Sequence, residues 1–370
     1  MPEDWELLKS FLPGNWRELA RETGALKGLR KDKSEEQLLR VLLMHLGCGY
    51  SLRETVLRAK RAGLAELSDV ALLKRLRKCG EWLRRLCVEL YGEGEQRALP
   101  GTGVEARVVD ATTVKEPGKS GSLWRLHYAV RLPSLSCDFF KVTGTEGPGS
   151  GESLTHFPVR AGDLVLADRG YSLAPGIVHV AAAGGCVTVR VNTRALVLAT
   201  LMGEPLDLLA RVSSLRRAGQ VGCWEARVVE KEGATVLGRV CAVRKSREAI
   251  RQAQRKIRRS ASRKGKRVKP ETLEFARFVI VFTTFPKTDF SAAEVLEWYR
   301  TRWQIELVFK RFKSLAQLGH LPKYDDHSAR AWLHGKLLLA LLVEKIIRHA
   351  ESISPWGYEL ATATPAEHLA

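Results

Sequence analysis

Near residue 103 the spacing of apolar residues changes from a helical period to a strand period. Upstream, three segments carry apolar residues at helical spacing and begin with a residue that can cap a helix, a Ser in the first two and Ser68 or Asp69 in the third: "SEEQLLRVLLMHL", "SLRETVLRAKRAGL" and "SDVALLKRLRKCGEWLRRLCVELY". Downstream, strand-like runs such as "VEARVVD", "GDLVLAD" and "RFVIVFTTFP" alternate with helical segments. The sequence therefore predicts an α/β protein, with a helical N-terminal domain followed by a mixed sheet.

The chain carries a large excess of positive charge. Sixty Lys and Arg against forty-one Asp and Glu give a net charge of +19. A basic surface concentrates polyanions and gains from counterion release, so this composition favours a nucleic acid partner; a merely soluble basic surface is the alternative. The excess is densest from Arg244 to Lys269, where thirteen Lys or Arg face one Glu. This stretch is predicted to begin as a helix and continue as a flexible arm that holds DNA, with a solvated loop as the alternative.

No targeting or membrane-spanning segment is predicted. The N-terminus "MPEDWELLKSFLPGNW" is acidic and lacks the pattern of a signal peptide. The strongest apolar run, at 337–343, is far shorter than a bilayer span. The seven Cys include no CxxC pair, which favours reduced thiols over disulfides or a zinc site. We therefore expect a cytoplasmic protein without a membrane partner.

Three carboxylates stand out by their positions. Asp110 ends the predicted strand "ARVVD", and Asp168 ends the predicted strand "LVLAD". Glu306 lies in the apolar segment "EWYRTRWQIELVFKRFK" at 297–313, which is predicted to be one buried helix. Side chains at strand ends are held rigidly yet reach solvent, as metal ligation requires, and three oxygen donors can hold two Mg²⁺ ions. The alternatives are a capping role for each Asp and a surface charge for the Glu.

Four polar residues interrupt the apolar segment at 297–313. In a single helix, at about 100° per residue, they fall within about 60° of arc: Tyr299, Arg302, Glu306 and Lys313. An internal ladder of salt bridges explains the charged members but not the tyrosine. Cations beside a metal-bound acid are suited to hold phosphates next to a scissile one. We therefore interpret this line as one wall of a phosphoryl-transfer site.

The spacing Tyr-x2-Arg-x3-Glu-x6-Lys over 299–313 matches the Y-R-E-K motif of insertion-sequence DDE transposases. The chain resembles the hairpin-forming branch of that family, the insertion sequence four type. "VVDATTV" and "GDLVLADRGY" resemble the blocks around the first and second family aspartates. The resemblance implies a ribonuclease H-like fold and catalytic, metal-binding roles for Asp110, Asp168 and Glu306. It also implies two Mg²⁺ ions per site, for which Mn²⁺ can substitute.

The same resemblance implies DNA contacts. Tyr299, Arg302 and Lys313 are expected to contact phosphates near the cut. Arg169 is also expected to contact DNA, although "RGYSL" after Asp168 departs from the Arg-Glu-Ala run of the best-known members. Trp224, in the predicted hairpin at 221–243, is the candidate platform for a base turned out of the stack; an ordinary core or surface Trp is the alternative.

Four further polar residues are interpreted as structural. His127 in "RLHYAV" is predicted to be a satisfied strand histidine rather than a metal neighbour. Glu152, Arg190 and Asn192 lie in stretches that look family-like, but their chemistry alone does not indicate a catalytic role.

The resemblance divides the chain into five predicted segments. A helical DNA-binding domain is expected at 1–98, for which a plain helical bundle is the alternative. The catalytic core is expected in two parts, at 99–195 and 276–350, separated by a β-rich insertion with a basic arm at 196–275. The remainder, 351–370, is expected to be a C-terminal tail.

The resulting hypothesis is a cut-and-paste DNA transposase. It cleaves transposon ends through hairpin intermediates and joins 3′ ends to target DNA by two-metal phosphoryl transfer. The expected partner is double-stranded DNA, both terminal inverted repeats and target, and the resemblance alone implies a homodimer on DNA and association with the nucleoid. The alternatives are an inactive or domesticated DNA-binding protein, a metal-dependent nuclease without strand transfer, and a basic scaffold unrelated to nucleic acid.

Overall fold

The computed structural model describes residues 2–29, 34–95, 105–115, 123–132, 134–147, 149–231, 233–314, 317–318, 321–322 and 325–352. The chain divides into two compact units, which are described separately. The first unit comprises Met1–Ala98, Val114–Trp124 and Lys310–Ala370. The second comprises Leu99–Thr113 and Arg125–Phe309.

The first unit is built from helices. They are α1 (Pro2–Ser10), α2 (Trp16–Glu22), α3 (Glu35–Gly47), α4 (Leu52–Arg61), α5 (Asp69–Lys78), α6 (Gly80–Glu95) and α13 (Asp326–Ser352). Helix α13 packs against α6, α3 and α5. The indole N–H of the fully buried Trp82 donates to the carbonyl oxygen of Trp16 at 3.0 Å. The predicted helical N-terminal region is therefore present.

Serine caps set the starts of three of these helices, as predicted. The Ser34 hydroxyl accepts from the backbone N–H of Gln37 in a capping box, and Ser51 and Ser68 accept in the same way. The single helix expected over 68–91 is instead two: α5 ends at Lys78 with Cys79 as its C-cap, and α6 begins at Gly80.

The second unit is organised around a nine-stranded sheet in the order β3-β2-β1-β4-β5-β9-β8-β7-β6. Its strands are β1 (Ala106–Lys115), β2 (Leu123–Leu132), β3 (Cys137–Gly144), β4 (Leu164–Ala167), β5 (Cys186–Arg190), β6 (Leu198–Ala199), β7 (Val221–Val229), β8 (Thr235–Arg244) and β9 (Phe278–Thr283). The neighbours β1, β4 and β5 are parallel, and β5, β9, β8, β7 and β6 pair antiparallel. The predicted mixed α/β class is confirmed.

The remaining helices are α7 (Ala174–Ala182), α8 (Leu208–Ser213), α9 (Arg247–Arg263), α10 (Pro270–Phe275), α11 (Ala292–Thr301) and α12 (Gln304–Ser314). Strand β4 is a continuous apolar run, Leu-Val-Leu-Ala, because a buried strand packs on both faces. Val165, Val187 and Phe282 belong to the core cluster, together with Ile177 of α7. This core holds the strand ends in place.

The predicted hairpin around "KEGA" is formed by β7 and β8, which pair from Val221↔Val243 to Val229↔Thr235. It does not form a separate body, because β8 also pairs with β9 and so extends the same sheet.

Residues from Lys310 onward, predicted as catalytic core up to 350, fall in the first unit. The physical reason is that α13 buries its apolar side, including Leu338 and Leu342, among the helices of that unit.

The tail predicted at 351–370 lies outside the described residues, apart from the end of α13. Among the helices in the described ranges, none combines the length and the apolar character that a bilayer crossing requires.

Candidate active site

Asp110 and Asp168 lie side by side on neighbouring parallel strands. The register pairs Val109 of β1 with Ala167 of β4, so the two acids that follow are adjacent across the strands, about 5 Å apart at the backbone. Asp168 ends its strand as predicted. The prediction that Asp110 ends its strand is wrong, because β1 continues to Lys115 with alternating buried and exposed residues. Asp110 is therefore held from both sides by regular backbone.

The carboxyl group of Asp110 is mostly buried, with 18% of its side chain exposed. Burial raises the pKa of Asp110 to about 6, and the nearby charges of Asp168 and Glu152 act in the same direction. A hydrogen bond from the backbone N–H of Ala111 and the charge of Arg302 oppose this rise. A buried carboxylate crowded by other acids is stabilised in its ionised form by a cation.

Arg302 connects the three predicted acids. Its Nη1 lies 3.6 Å from Asp110 Oδ2 and its Nε 3.9 Å from Asp168 Oδ1. Its Nη2 donates to Glu306 Oε1 at 2.9 Å. Because one planar guanidinium reaches all three carboxylates, these groups must lie within about 10 Å of one another. The acids therefore converge within one unit, although they come from distant parts of the chain.

Tyr299 also contacts the acids. Its hydroxyl donates to Asp168 Oδ1 at 3.1 Å, and the side chain is buried. Burial and the charge of Asp168 raise the pKa of Tyr299, so the phenol stays protonated and able to donate. The hydroxyl is therefore engaged by a carboxylate, and its predicted contact with a DNA phosphate stays a prediction.

The sequence predicts one helix over 297–313, but the structure has two helices there. Helix α11 ends at Thr301 and α12 begins at Gln304. Between them the backbone makes hydrogen bonds of the 3₁₀ type, three residues apart; for example, the Glu306 N–H donates to Trp303 O at 3.0 Å. The apolar stripe explains the break. In a continuous helix, the buried residues before and after residue 302 would be centred about 130° apart: Val295, Leu296 and Tyr299 before it, and Ile305, Val308 and Phe309 after it. Breaking the helix lets both halves face the core.

The other predicted DNA contacts are dispersed. Arg169 is exposed on a 3₁₀ turn, and its Nη2 lies 3.5 Å from Asn192 Oδ1. Trp224 of β7 is half-buried and packs against the core cluster of the sheet. Lys313 is exposed in the last turn of α12 and belongs to the first unit. Each of these DNA-binding roles stays a prediction.

Two residues beside the acids did not emerge as site residues from the sequence. The carboxylate of Glu152 lies beside Gly170, where an added methyl group would have to displace it. Tyr171 is fully buried, and its hydroxyl has no hydrogen-bond partner among the residues that the structure describes. Burial raises the pKa of Tyr171, and Asp110 and Glu152 add to the rise. In the sequence, the feature that could have indicated these neighbours is the Gly-Tyr pair that begins two residues after Asp168.

His127 is a buried histidine on β2, but the prediction that it is satisfied is only half right, because its buried Nδ1 has no hydrogen-bond partner among the described residues. Its Nε2 lies 3.0 Å from Thr143 Oγ1, and its ring lies 4.2 Å from the ring of His156. Burial and the neighbouring His156 lower the pKa of His127 to about 3, so the imidazole is neutral.

The donor chemistry of the site fits a hard divalent cation. Three carboxylates converge, the most buried of them has a raised pKa, and they already surround a cationic group. Within the described ranges, however, no set of three or more Asp, Glu, His and Cys is close enough to bind a metal directly. Joint ligation by Glu306 and the aspartates therefore requires Arg302 to withdraw from the position where the carboxylates meet.

Comparison with known proteins adds a family match. Residues 103–342 match the family model described as a transposase DDE domain. The chain is 34% identical over 345 residues to the putative transposase InsL for insertion sequence element IS186A of Escherichia coli strain K12, with 91% of each chain covered. It is 34% identical over 346 residues to the transposase for insertion sequence element IS421 of Escherichia coli, again with 91% of each covered. It is 23% identical to the transposase for insertion sequence element IS231C of Bacillus thuringiensis subsp. berliner, covering 90% of this chain and 77% of that one.

Proposed function

The chain belongs to the DDE transposase family, and on that premise we propose that it moves an insertion sequence by a cut-and-paste reaction through DNA hairpins. As a DDE transposase it is an enzyme that cleaves and transfers DNA, and its mixed α/β sheet agrees with a ribonuclease H-like fold. The proposal of the hairpin branch is supported by the complete Tyr-Arg-Glu-Lys spacing at 299–313.

The proposed catalytic residues are Asp110, Asp168 and Glu306. The observation that carries this proposal is the contact of one guanidinium, that of Arg302, with all three carboxylates. Regular backbone on both sides fixes Asp110, and the Tyr299 hydroxyl orients Asp168. Glu306 lies in the first turn of α12, with 55% of its side chain exposed, so it is free to reorient.

DDE transposase domains depend on a metal, and we propose Mg²⁺ at this site, two ions per site, with Mn²⁺ as a substitute. Bound metal would activate water or a 3′-hydroxyl and stabilise the leaving oxygen in each in-line displacement at phosphorus. The chain itself provides the buried carboxylate of Asp110, which holds charge poorly without a cation, and the hydroxyl of Tyr299, which keeps Asp168 in place.

The substrate is DNA, since transposases act on DNA. We propose that Tyr299, Arg302, Lys313 and Arg169 contact phosphates near the cut and that Trp224 holds a flipped base. Arg302 would exchange its carboxylate partners for a phosphate when DNA binds. The helices at 1–98 are proposed to bind the terminal repeats, and a homodimer is proposed to bridge two ends; family resemblance supports both ideas and the expected nucleoid association.

The test is excision from a supercoiled donor plasmid that carries the terminal repeats, with Mg²⁺. We expect Asp110→Asn, Asp168→Asn and Glu306→Gln each to abolish cleavage. Glu297→Gln, at an exposed position paired with Arg300 on α11, is the matched control and should cut like the parent. Cleavage by all three acid variants would show that the site is wrongly assigned.

The reaction products decide the class of enzyme. Hairpin ends and joined target DNA are expected from a hairpin-forming transposase. Cut ends without hairpins or joining would indicate a nuclease instead. DNA binding without cleavage under any divalent metal would indicate an inactive DNA-binding relative.

A further inference from the structure

Helix α9 carries an unusual density of unpaired positive charge. Seven of its residues are exposed cations without an ion-pair partner in the described part of the chain: Arg247, Arg251, Arg255, Lys256, Arg258, Arg259 and Arg263. Its only acid is Glu248, which accepts a hydrogen bond from Gln252. The opposite side of the helix is half-buried and includes Ile250 and Ile257. Like charges on one helix repel, so an anionic partner would stabilise this surface.

A cleft of about 570 Å³ opens beside the start of α9. Four arginines and one acid line it, with Ile250 and Gln254: Arg244, Arg247, Arg251, Arg277 and Glu274. Glu274 is already engaged by Arg277, whose Nη1 donates to its Oε2 at 2.6 Å. Burial lowers the pKa of Arg244, and the charges of Arg277 and Arg216 lower it further. The cleft therefore contains more positive charge than its own acid can neutralise.

The sheet topology places this cleft at the same edge as the proposed catalytic acids. Strand β5 runs parallel to β4, so it ends at the edge where Asp168 follows β4. Strand β9 runs antiparallel to β5 and therefore begins at that edge. Arg244, at the end of β8, pairs with Phe278 at the start of β9. Arg277, just before β9, and Arg244, at the end of β8, thus lie on the edge that carries Asp168, two and three strands away from β4.

Basic side chains occupy the interval between the acids and the cleft. Arg190, at the end of β5, is close enough to lower the pKa of both Arg169 and Lys245, although burial is the larger cause for each. Lys245 directly follows β8, and its Nζ donates to Ala276 O at 2.8 Å. Arg190 is also close enough to Tyr299 that its charge opposes the rise in the pKa of Tyr299 caused by burial. The Tyr299 hydroxyl in turn donates to Asp168. The cations thus form a series along one edge.

We propose that this edge, from Arg190 through the arginine cleft to α9, is a second DNA-binding surface that holds the duplex beside the cut by its phosphates. The inference rests on the proposed function only in that the bound duplex continues into the acid site. The surface suits backbone contacts, since planar guanidinium groups bind phosphate in a bidentate way and contacts to phosphate require no particular base sequence.

The dimensions set how much DNA this surface can reach. At the usual strand spacing, β8 lies about 15 Å from β4. Helix α9 has 17 residues and is therefore about 25 Å long. The surface can thus reach up to about 40 Å from the acids, which corresponds to about 12 base pairs of duplex.

The first test compares two triple variants in fluorescence anisotropy with duplex DNA and no divalent metal. The surface variant is Arg251→Ala, Arg255→Ala and Arg258→Ala. The control removes three exposed cations elsewhere in the second unit, Lys141→Ala, Arg211→Ala and Lys231→Ala. Each lost phosphate contact lowers the salt slope of log K by about 0.9. We expect the surface variant to lose about 2 to 3 units of slope and about 10- to 100-fold in affinity, and the control to lose less than about threefold.

The second test locates the surface with duplexes that extend from about 4 to about 20 base pairs beyond the scissile phosphate. The parent and the surface variant should bind the shortest duplexes equally and diverge as the duplex lengthens towards about 12 base pairs. Equal losses in both triple variants, or a deficit of the surface variant at every duplex length, would overturn the proposal.

The first test is independent of the catalytic assignment, because it needs neither cleavage nor the position of the scissile phosphate. At saturating DNA with Mg²⁺, the surface variant should cut at the parental rate, whereas Asp168→Asn should not cut. A failure of the catalytic proposal is therefore seen as an active Asp168→Asn, and a failure of the surface proposal as an unchanged salt slope.

Discussion

Arg302 and the arginines of α9 have opposite surroundings within the same unit. Arg302 is 12% exposed and contacts three carboxylates, whereas the seven cations of α9 are exposed and lack acidic partners in the described ranges. An arginine among acids balances charge and organises a site, and an arginine without acids attracts an anion from outside. The comparison separates a region that performs chemistry from one that supplies affinity.

The largest effect expected from this comparison is loss of the acid site alone. Asp168→Asn keeps the shape of the side chain but removes a proposed metal ligand, so strand cleavage should fall by at least about a thousandfold. DNA affinity should stay within about twofold, because α9 is untouched. Gel-based cleavage assays and fluorescence anisotropy on the same duplex measure the two quantities. If Asp168→Asn lost DNA affinity in parallel with cleavage, the acid site and α9 would not have separate functions.

A smaller effect is expected at Gly170. A methyl group there would displace the flexible carboxylate of Glu152 beside the acids, so Gly170→Ala should reduce cleavage by up to about tenfold. The double variant Gly170→Ala with Glu152→Ala removes that carboxylate and should recover part of this loss if Glu152 is not itself essential. Single-turnover cleavage measures both, and recovery to the parental rate would assign Glu152 a purely steric role.

The acid site should also make the stability of the protein depend on pH. The pKa of Asp110 is about 6 in the fold and 3.8 unperturbed, so the folded state binds more protons between these values. The free energy of unfolding should therefore fall by about 1 to 2 kcal/mol as pH rises from about 4 to 6.5 in EDTA. Asp110→Asn should remove this dependence and be more stable at pH 7. Denaturant unfolding of the parent and of Asp110→Asn across this pH range checks both expectations. If the free energy of unfolding rose with pH in the parent and not in Asp110→Asn, the prediction would be wrong.

The smallest effect is expected for one cation of α9. Arg259→Ala removes a single exposed charge, so DNA affinity should fall by only about two- to fivefold, with a salt slope lower by about 0.9. Cleavage at saturating DNA should not change. An anisotropy titration at several salt concentrations provides the measurement, and a slow cleavage step at saturation would place Arg259 in the chemistry.

Sequence reasoning predicted the local parts of this molecule well. Ser34 and Ser51 cap their helices, the strands before Asp110 and Asp168 form, and β7 and β8 pair as the predicted hairpin, because caps, apolar periods and hairpins are set by a few neighbouring residues. The angular line of polar residues by itself predicts a continuous helix over 297–313, whereas the shift of the apolar stripe after residue 302 favours the two helices that form.

What the chain's sequence determined by itself is an inventory: the identity and spacing of three acids, the Tyr-Arg-Glu-Lys pattern, and the run of cations at 244–269. Only the tertiary structure decided that Arg302 contacts all three acids, that the hairpin extends the main sheet, and that the cleft beside α9 lies on the edge that carries Asp168. Strand pairing and side-chain burial bring together residues far apart in the chain, and no local pattern specifies that pairing.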